Sequence, residues 1–358
     1  MGKKKNSKTK YRNLVTGGAG FVGSQIAHRL LQNGEEVVIV DNFSYGKEDN
    51  LEFDDMNLRA FCSIVEKDVS SFEDMKNIFE EFGPFDYVYN IAGIAPLPDC
   101  QTNPARAVEV NVNGLVNILE CSRRYGVKKV IQASTNAMYE NINVFPTEEG
   151  SMNGNDSLPT LIYPNTKYCA ERFAESYCRT YGMHVACLRF ANVYGPHIDC
   201  LRTMPPFVGY MIRELYYDRT PVFHSTGKQS RDYIYVDDLV RLALMCRFQD
   251  NGFEPINCSS GKHYSVNDLY DMAKHIMNKN ISAAYASESD YWKHYPDLYQ
   301  GAYSINNDIL IHEVNKHSEC DNTKARKSYG WSPEVDITEG LRRVIEYETK
   351  LFAKQDED

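Results

Sequence analysis

The segment TGGAGFVGS, residues 16–24, limits the possible folds more than any other stretch of this chain. Gly17, Gly20 and Gly23 stand in G-x-x-G-x-x-G spacing, between the apolar run NLVTGG and the helical pattern SQIAHRLLQNG. Residues without a Cβ permit a tight strand-to-helix turn, close approach of a pyrophosphate to the backbone, and close packing of helix on strand. The helix N-terminus then offers N–H donors and the positive end of its dipole to phosphate. A plain glycine turn is the competing reading; the strand–loop–helix setting favours a dinucleotide site.

The same rhythm continues downstream. EVVIVDN, YVYNIAG, KKVIQAST and HVACLRFANVYG are apolar runs rich in Val and Ile, separated by helical patterns such as MKNIFEEFG and NGLVNILECSRRYG. Three helical segments close on Gly34, Gly83 and Gly126, which is C-terminal punctuation. Strands alternating with helices predict an α/β chain, a Rossmann-type doubly wound parallel sheet covered on both faces. After residue 195 the chain becomes aromatic and irregular, with helices expected near 205–217 and 265–279. We therefore expect an NAD-binding domain over 11–190, with 231–260 returning to it. A smaller, mostly helical substrate domain should comprise 191–230 and 261–358. Residues 1–10, MGKKKNSKTK, are basic without the apolar centre of a signal peptide, and read as a disordered tail.

A chain of 358 residues is too long for one small core. Its formal net charge of -10 argues against nucleic acid or an anionic membrane as the main partner. No apolar run approaches the ~18 residues that would suggest a membrane span. The ten cysteines show neither C-x-x-C nor a paired Cys/His spacing. They read as small buried thiols in a reducing cytosol, so a cytoplasmic protein without a metal site is expected.

Six further positions carry chemistry. Asp41 ends the second strand, where a carboxylate accepts from the adenosine ribose diol and repels a 2′-phosphate, favouring NAD over NADP. A turn or capping aspartate is the alternative. Asp68, in EKDVSS, could accept from the adenine amino group or cap the helix after it. Tyr163 and Lys167 stand four apart in LIYPNTKYCAER. Free tyrosine has a pKa near ~10, and a neighbouring ammonium stabilises its phenolate. Beside nicotinamide, such a phenolate can take a hydroxyl proton as hydride leaves the same carbon. IQASTNAMYE places Ser134 and Thr135 at the carboxyl edge of the sheet, where ligands bind in such folds; a strand-end turn hydroxyl is the other reading of Thr135.

Together these residues resemble the extended short-chain dehydrogenase/reductase family, in particular its nucleotide-sugar epimerases and dehydratases. The resemblance runs from about residue 11 to 348. It rests on TGGAGFVGS, Asp41, NIAG at 90–93, NVNG at 111–114, STNAMYE at 134–140, YPNTK at 163–167, RFANVYGP at 189–196, RDYIYVDD at 231–238 and YGWSP at 329–333. It implies Thr135, Tyr163 and Lys167 as catalytic residues, with Asn111 supporting the active-site helix. It implies NAD as cofactor, contacted by Gly17, Gly20, Phe21, Val22, Gly23, Asp41, Asn42, Asp68, Val69, Ala92, Tyr163 and Lys167. Ser134, Thr135, Asn136, Asn192 and Arg231 become substrate contacts, the last two at a diphosphate. Arginine also suits phosphate by bidentate geometry; a surface salt bridge is its plainer role. A homodimer is implied too, paired through the helices bearing NVNG and YPNTK.

Family members that eliminate water across C5 and C6 usually carry Asp-Glu after the catalytic threonine. Here Asn136 and Ala137 stand there, and neither can transfer protons in that way. The chain therefore looks more like a nucleotide-sugar 4-epimerase, with a UDP-sugar as the expected substrate, than a 4,6-dehydratase or keto-sugar reductase. Glu140, Glu149, Glu288, Asp290 and Tyr291 remain as substitute acid–base groups. Residues 288–319 are not the short arginine-containing stretch expected in common epimerases, and YPNTK has proline where a small residue is usual.

Overall fold

The structure is a computed structural model that describes residues 11–52, 56–152, 154 and 157–357. The basic segment 1–10 lies outside the described residues. In chain order, β1 (Arg12–Thr16), β2 (Glu36–Asp41), β3 (Cys62–Glu66), β4 (Tyr87–Asn90), β5 (Lys129–Thr135) and β6 (Val185–Phe190) precede β7 (Asn192–Tyr194), β8 (Val222–His224) and β9 (Ser230–Tyr235). Then come β10 (Phe253–Cys258), β11 (His263–Ser265) and β12 (Ala284–Ala286). Seven of them form the main sheet in the order β10-β6-β5-β4-β1-β2-β3. All its pairings are parallel. The order reverses between β1 and β4, which opens a crevice at the carboxyl ends of those strands.

Side-chain alternation along each strand builds two cores. Val15, Ile39, Tyr89, Ile131 and Leu188 face the helices Phe21–Gln32 and Val236–Cys246. Leu14, Val38, Val88, Val130 and Cys187 face the helices Phe72–Phe82, Gly114–Tyr125 and Ile162–Tyr181. Both faces are apolar, which is why these strands read as continuous hydrophobic runs. A third core gathers Tyr194, Met211, Phe223, Leu269, Leu341 and Phe352. It lies among the helices Phe207–Tyr216, Val266–Met277 and Ile337–Glu357, the first two close to the expected spans.

Two expected boundaries are corrected. Residues 231–235 do not return to the main sheet, because β9 pairs with β7 and β11 in a separate three-stranded sheet; the helix Val236–Cys246 and β10 do return. The helix Thr323–Tyr329, placed with the substrate part by sequence, packs instead on the first core through Ala325, Tyr329 and Trp331. Burial of two large rings drives this, and the Trp331 indole N–H finds an acceptor in the Asp238 carbonyl at 3.0 Å. Among the described residues no helix is long and apolar enough to cross a membrane.

Candidate active site

A cavity of about 690 Å³ follows the carboxyl edge of the sheet, from the glycine loop to residues 313–320. At its first end Gly17 has φ +65°, and a Cβ there would lie 2.6 Å from the Ala92 nitrogen. A Cβ on Gly23 would lie 2.1 Å from the Gly17 carbonyl oxygen. Gly20 caps the helix that starts at Phe21 and Val22, with no side-chain cap and no acidic residue in the first turn. The first-turn amides are thus left to an anion.

Asp41 is buried and accepts from the Ala19 amide at 2.9 Å and the Phe43 amide at 2.8 Å. It therefore serves the turn, as the plainer reading had it, while its carboxylate also lines the cavity. Asp68 does not cap the next helix; Ser71 does, accepting from the Asp74 amide at 3.2 Å. Asp68 instead receives the Ser70 amide and hydroxyl, the Asn42 amide at 2.9 Å, and the Arg106 guanidinium. Burial pushes its carboxyl up, but these donors outweigh burial and hold it at about 2. Val69 and Ala92 complete this wall. Arg106 was missed by sequence reasoning, because nothing in its local spacing ties it to Asp68. The glycine cradle, the uncapped helix and the Asp41 carboxylate suit a dinucleotide such as NAD.

At the other end Tyr163 occupies the first turn of the helix Ile162–Tyr181, with Lys167 one turn on. Pro164 is tolerated because first-turn amides have no intrahelical partner to lose. Lys167 Nζ donates to the Ala133 carbonyl at 3.1 Å. Gly93 lets the chain pass close, since a Cβ there would sit 2.9 Å from that nitrogen. The Tyr163 hydroxyl is paired with the Thr135 side chain. Thr135 Oγ1 also accepts the Ala137 amide at 3.0 Å, so it serves the strand-end turn as well. Asn111 lies in a π-turn, Glu109–Asn113. Its Nδ2 donates to the Ile94 carbonyl at 3.0 Å and to Thr166 Oγ1 at 2.9 Å, and its Oδ1 accepts the Ile94 amide at 2.9 Å. It binds the loop after β4 to the Tyr163–Lys167 helix.

Burial pushes the Tyr163 phenol up to about 12, with the Thr135 hydrogen bond opposing it. Burial also pulls Lys167 down to about 8. The expectation that the ammonium would lower the phenol is corrected here, because in the protein alone desolvation is the larger effect.

Ser134 also lines the cavity, but its hydroxyl is already committed. Its hydroxyl donates to Glu171 Oε1 at 2.6 Å, beneath a buried Glu171–Arg189 ion pair. Adjacent strand residues face opposite sides, so the Thr135 and Ser134 hydroxyls point in different directions. Asn136 lines the cavity and bonds Cys320. Asn192 is exposed and donates to the Asp232 carbonyl at 3.1 Å. Among the described residues Arg231 makes no salt bridge: it donates to the carbonyls of Glu313 at 2.8 Å and of Lys316, at the end of the helix Asn307–Asn315. Residues 313–320 thereby form a cavity wall that sequence reasoning did not assign. Of the substitute acid–base groups, Glu140 lines the cavity but accepts the Thr160 and Leu161 amides, and Glu149 accepts the Asn257 amide at 2.8 Å. Glu288, Asp290 and Tyr291 do not line the cavity.

A doubly wound sheet with a glycine cradle and a tyrosine–lysine helix at its switch point defines a dinucleotide-dependent enzyme class. The chain belongs to the NAD dependent epimerase/dehydratase family, whose sequence model matches residues 13–285. It resembles the crystal structure of UDP-glucose 4-epimerase from Thermotoga maritima with UDP-glucose, with 32% identity and a TM-score of 0.82 over 95% of this chain and 99% of that one. It is 29% identical over 337 residues to UDP-glucose 4-epimerase of Mycolicibacterium smegmatis, covering 94% of this chain and 98% of that protein. It is also 27% identical over 355 residues to UDP-glucuronic acid decarboxylase 1 of Xenopus tropicalis, covering 98% of this chain and 75% of that protein.

Two outcomes are expected. Calorimetric titration of cofactor-stripped protein should show NAD binding more tightly than NADP, with the preference narrowed in Asp41→Asn; equal affinities in the unaltered chain would remove Asp41 from cofactor choice. The second concerns Lys167. Its folded value of about 8 lies below its ordinary 10.5, so the folded chain holds fewer protons than the unfolded one between those pH values. Its burial costs stability at neutral pH, and that cost fades as pH rises through the window. Lys167→Met should raise the melting temperature over wild type at pH 7, by a margin that shrinks toward pH 10. A margin independent of pH would show that Lys167 is not desolvated.

Proposed function

We propose that this chain is an NAD-dependent 4-epimerase of a nucleotide-diphosphate sugar, a UDP-sugar, working by transient oxidation and re-reduction at C4. The observation that carries this reading is the Thr135–Tyr163–Lys167 group on a dinucleotide cavity, with Asn136 and Ala137 where an eliminating enzyme would need an acid and a base. Bound NAD supplies a two-electron acceptor beside Tyr163. Thr135 holds the 4-hydroxyl, and Tyr163 as phenolate takes its proton while C4 becomes a carbonyl. Lys167 holds the cofactor ribose and favours the phenolate once its charge is shared across that hydroxyl. Tyr163 returns the proton after the keto sugar has turned about its diphosphate, which Asn192 and Arg231 hold. For Arg231 this means exchanging part of its bond set to the 313–316 carbonyls for phosphate oxygens.

The epimerase relatives support this substrate class, and the decarboxylase relative also acts on a UDP-sugar by its name. In this reading two chains pair through the helices that carry Asn111 and Tyr163. Val108 and Phe173 stand exposed there and support such a seam. A cytoplasmic setting is supported by cysteines that are free among the described residues.

Tyr163→Phe should fold and bind NAD while losing turnover by ~10²–10⁴-fold, the usual worth of a general base; near-normal kcat would take Tyr163 out of the mechanism. Substrate deuterated at C4 should give product that keeps the label at C4, with no solvent hydrogen entering C5. Washout of the label, or exchange at C5 in heavy water, would contradict a closed C4 cycle.

A further inference from the structure

We infer that His263, His317 and Glu319 form a binding site for a divalent transition-metal ion, zinc being the first candidate, at the rim of the central cavity. One ligand atom from each residue lies within 4.8 Å of the others. Two imidazoles and a carboxylate are a donor set that suits zinc and its neighbours and leaves coordination positions open.

The backbone explains the grouping. His317 and Glu319 lie two apart in the run that leads from the helix Asn307–Asn315 to the bridge between Thr147 and Cys320. In extended chain, residues two apart share a face. That run is pinned by the Ser318 amide on the Ser230 carbonyl at 3.1 Å and the Thr147 amide on the Glu319 carbonyl at 2.8 Å. His263 opens β11, whose partner β9 begins at Ser230. His263 Nδ1 meets Glu319 Oε2 at 2.6 Å, and the two imidazole rings stand edge to face with centroids 4.4 Å apart.

A surface His–Glu pair would account for two of these groups. It does not account for the second imidazole, which is held from behind. Ser230 Oγ bonds His317 Nδ1, and Phe145 packs edge-on against the ring at 4.6 Å. An outer hydrogen bond of this kind orients metal-bound imidazoles. Bonds of about 2.0–2.2 Å place ligand atoms roughly 3–3.5 Å apart around a tetrahedral ion. His263 can supply the closure, because it is the exposed member, while His317 and Glu319 line the cavity. The open positions of such an ion would face the cavity mouth.

The test uses tag-free, chelator-treated full-length chain. Calorimetric titration with zinc chloride should show one ion per chain, and cobalt chloride should give a visible spectrum of nitrogen and oxygen ligands. His263→Ala and Glu319→Gln should each weaken zinc binding about tenfold or more, a scale that loss of even an outer partner reaches. His263 is exposed, so its variant tests the site without disturbing the core. Absence of zinc binding, binding unchanged in both variants, or a cobalt–thiolate charge-transfer band from the cysteines would overturn the proposal. None of these readouts depends on turnover, so they stand apart from the epimerase reading.

Discussion

Two backbones meet at the reversal of strand order, and the site is built from that meeting. Gly17, leaving β1 with φ +65°, comes so near the Ala92 nitrogen that a Cβ would sit at 2.6 Å. Only glycine meets both demands, the left-handed conformation and the close approach. This contact fixes the loop after β1 against the loop after β4. Asn111 then ties the second loop to the helix of Tyr163 and Lys167 with its three hydrogen bonds. The glycine loop and the Tyr163–Lys167 helix are thereby held to one frame, as the proposed hydride and proton transfer demands.

Burial at the reacting end has a cost that shapes the chemistry. Tyr163 is pushed toward the phenol and Lys167 toward the amine, so at neutral pH the phenol keeps its proton while Lys167, at about 8, still carries most of its charge. A base of this kind becomes effective only when a hydroxyl and a compensating charge are both present.

The fold was legible because β1, β2, β4, β5 and β6 are buried on both faces and the helices on one, so apolar runs and helical periods alternate along 11–190, with only the edge strand β3 exposed. That Gly17, Asp41, Tyr163 and Lys167 line one cavity was legible because each sits in a motif of local spacing on the strand ends and helix that meet there. That the Ser134 hydroxyl is held by Glu171 was not legible, because its partner lies 37 residues away. Asp68 and Arg106 could not be paired from sequence, nor could Arg231 and the carbonyls of 313–316, because those contacts join segments far apart. The wall made by 313–320 belongs to this group: His312 reaches the Glu140 carbonyl across 172 residues at 2.8 Å. Its segment is seated by Trp292, Leu298 and Leu310 packing with Leu161, next to the start of the Tyr163 helix. The grouping of His263 with His317 and Glu319 is equally non-local.

Product mass tests the central claim most directly. Purified protein is incubated with a panel of UDP-, dTDP-, GDP- and CDP-sugars, and products are separated by chromatography with mass detection. The account predicts a new peak from a UDP-sugar with the mass of its substrate, formed without net consumption of NAD. Loss of one water, loss of carbon dioxide, or product formed only with stoichiometric use of cofactor would contradict it.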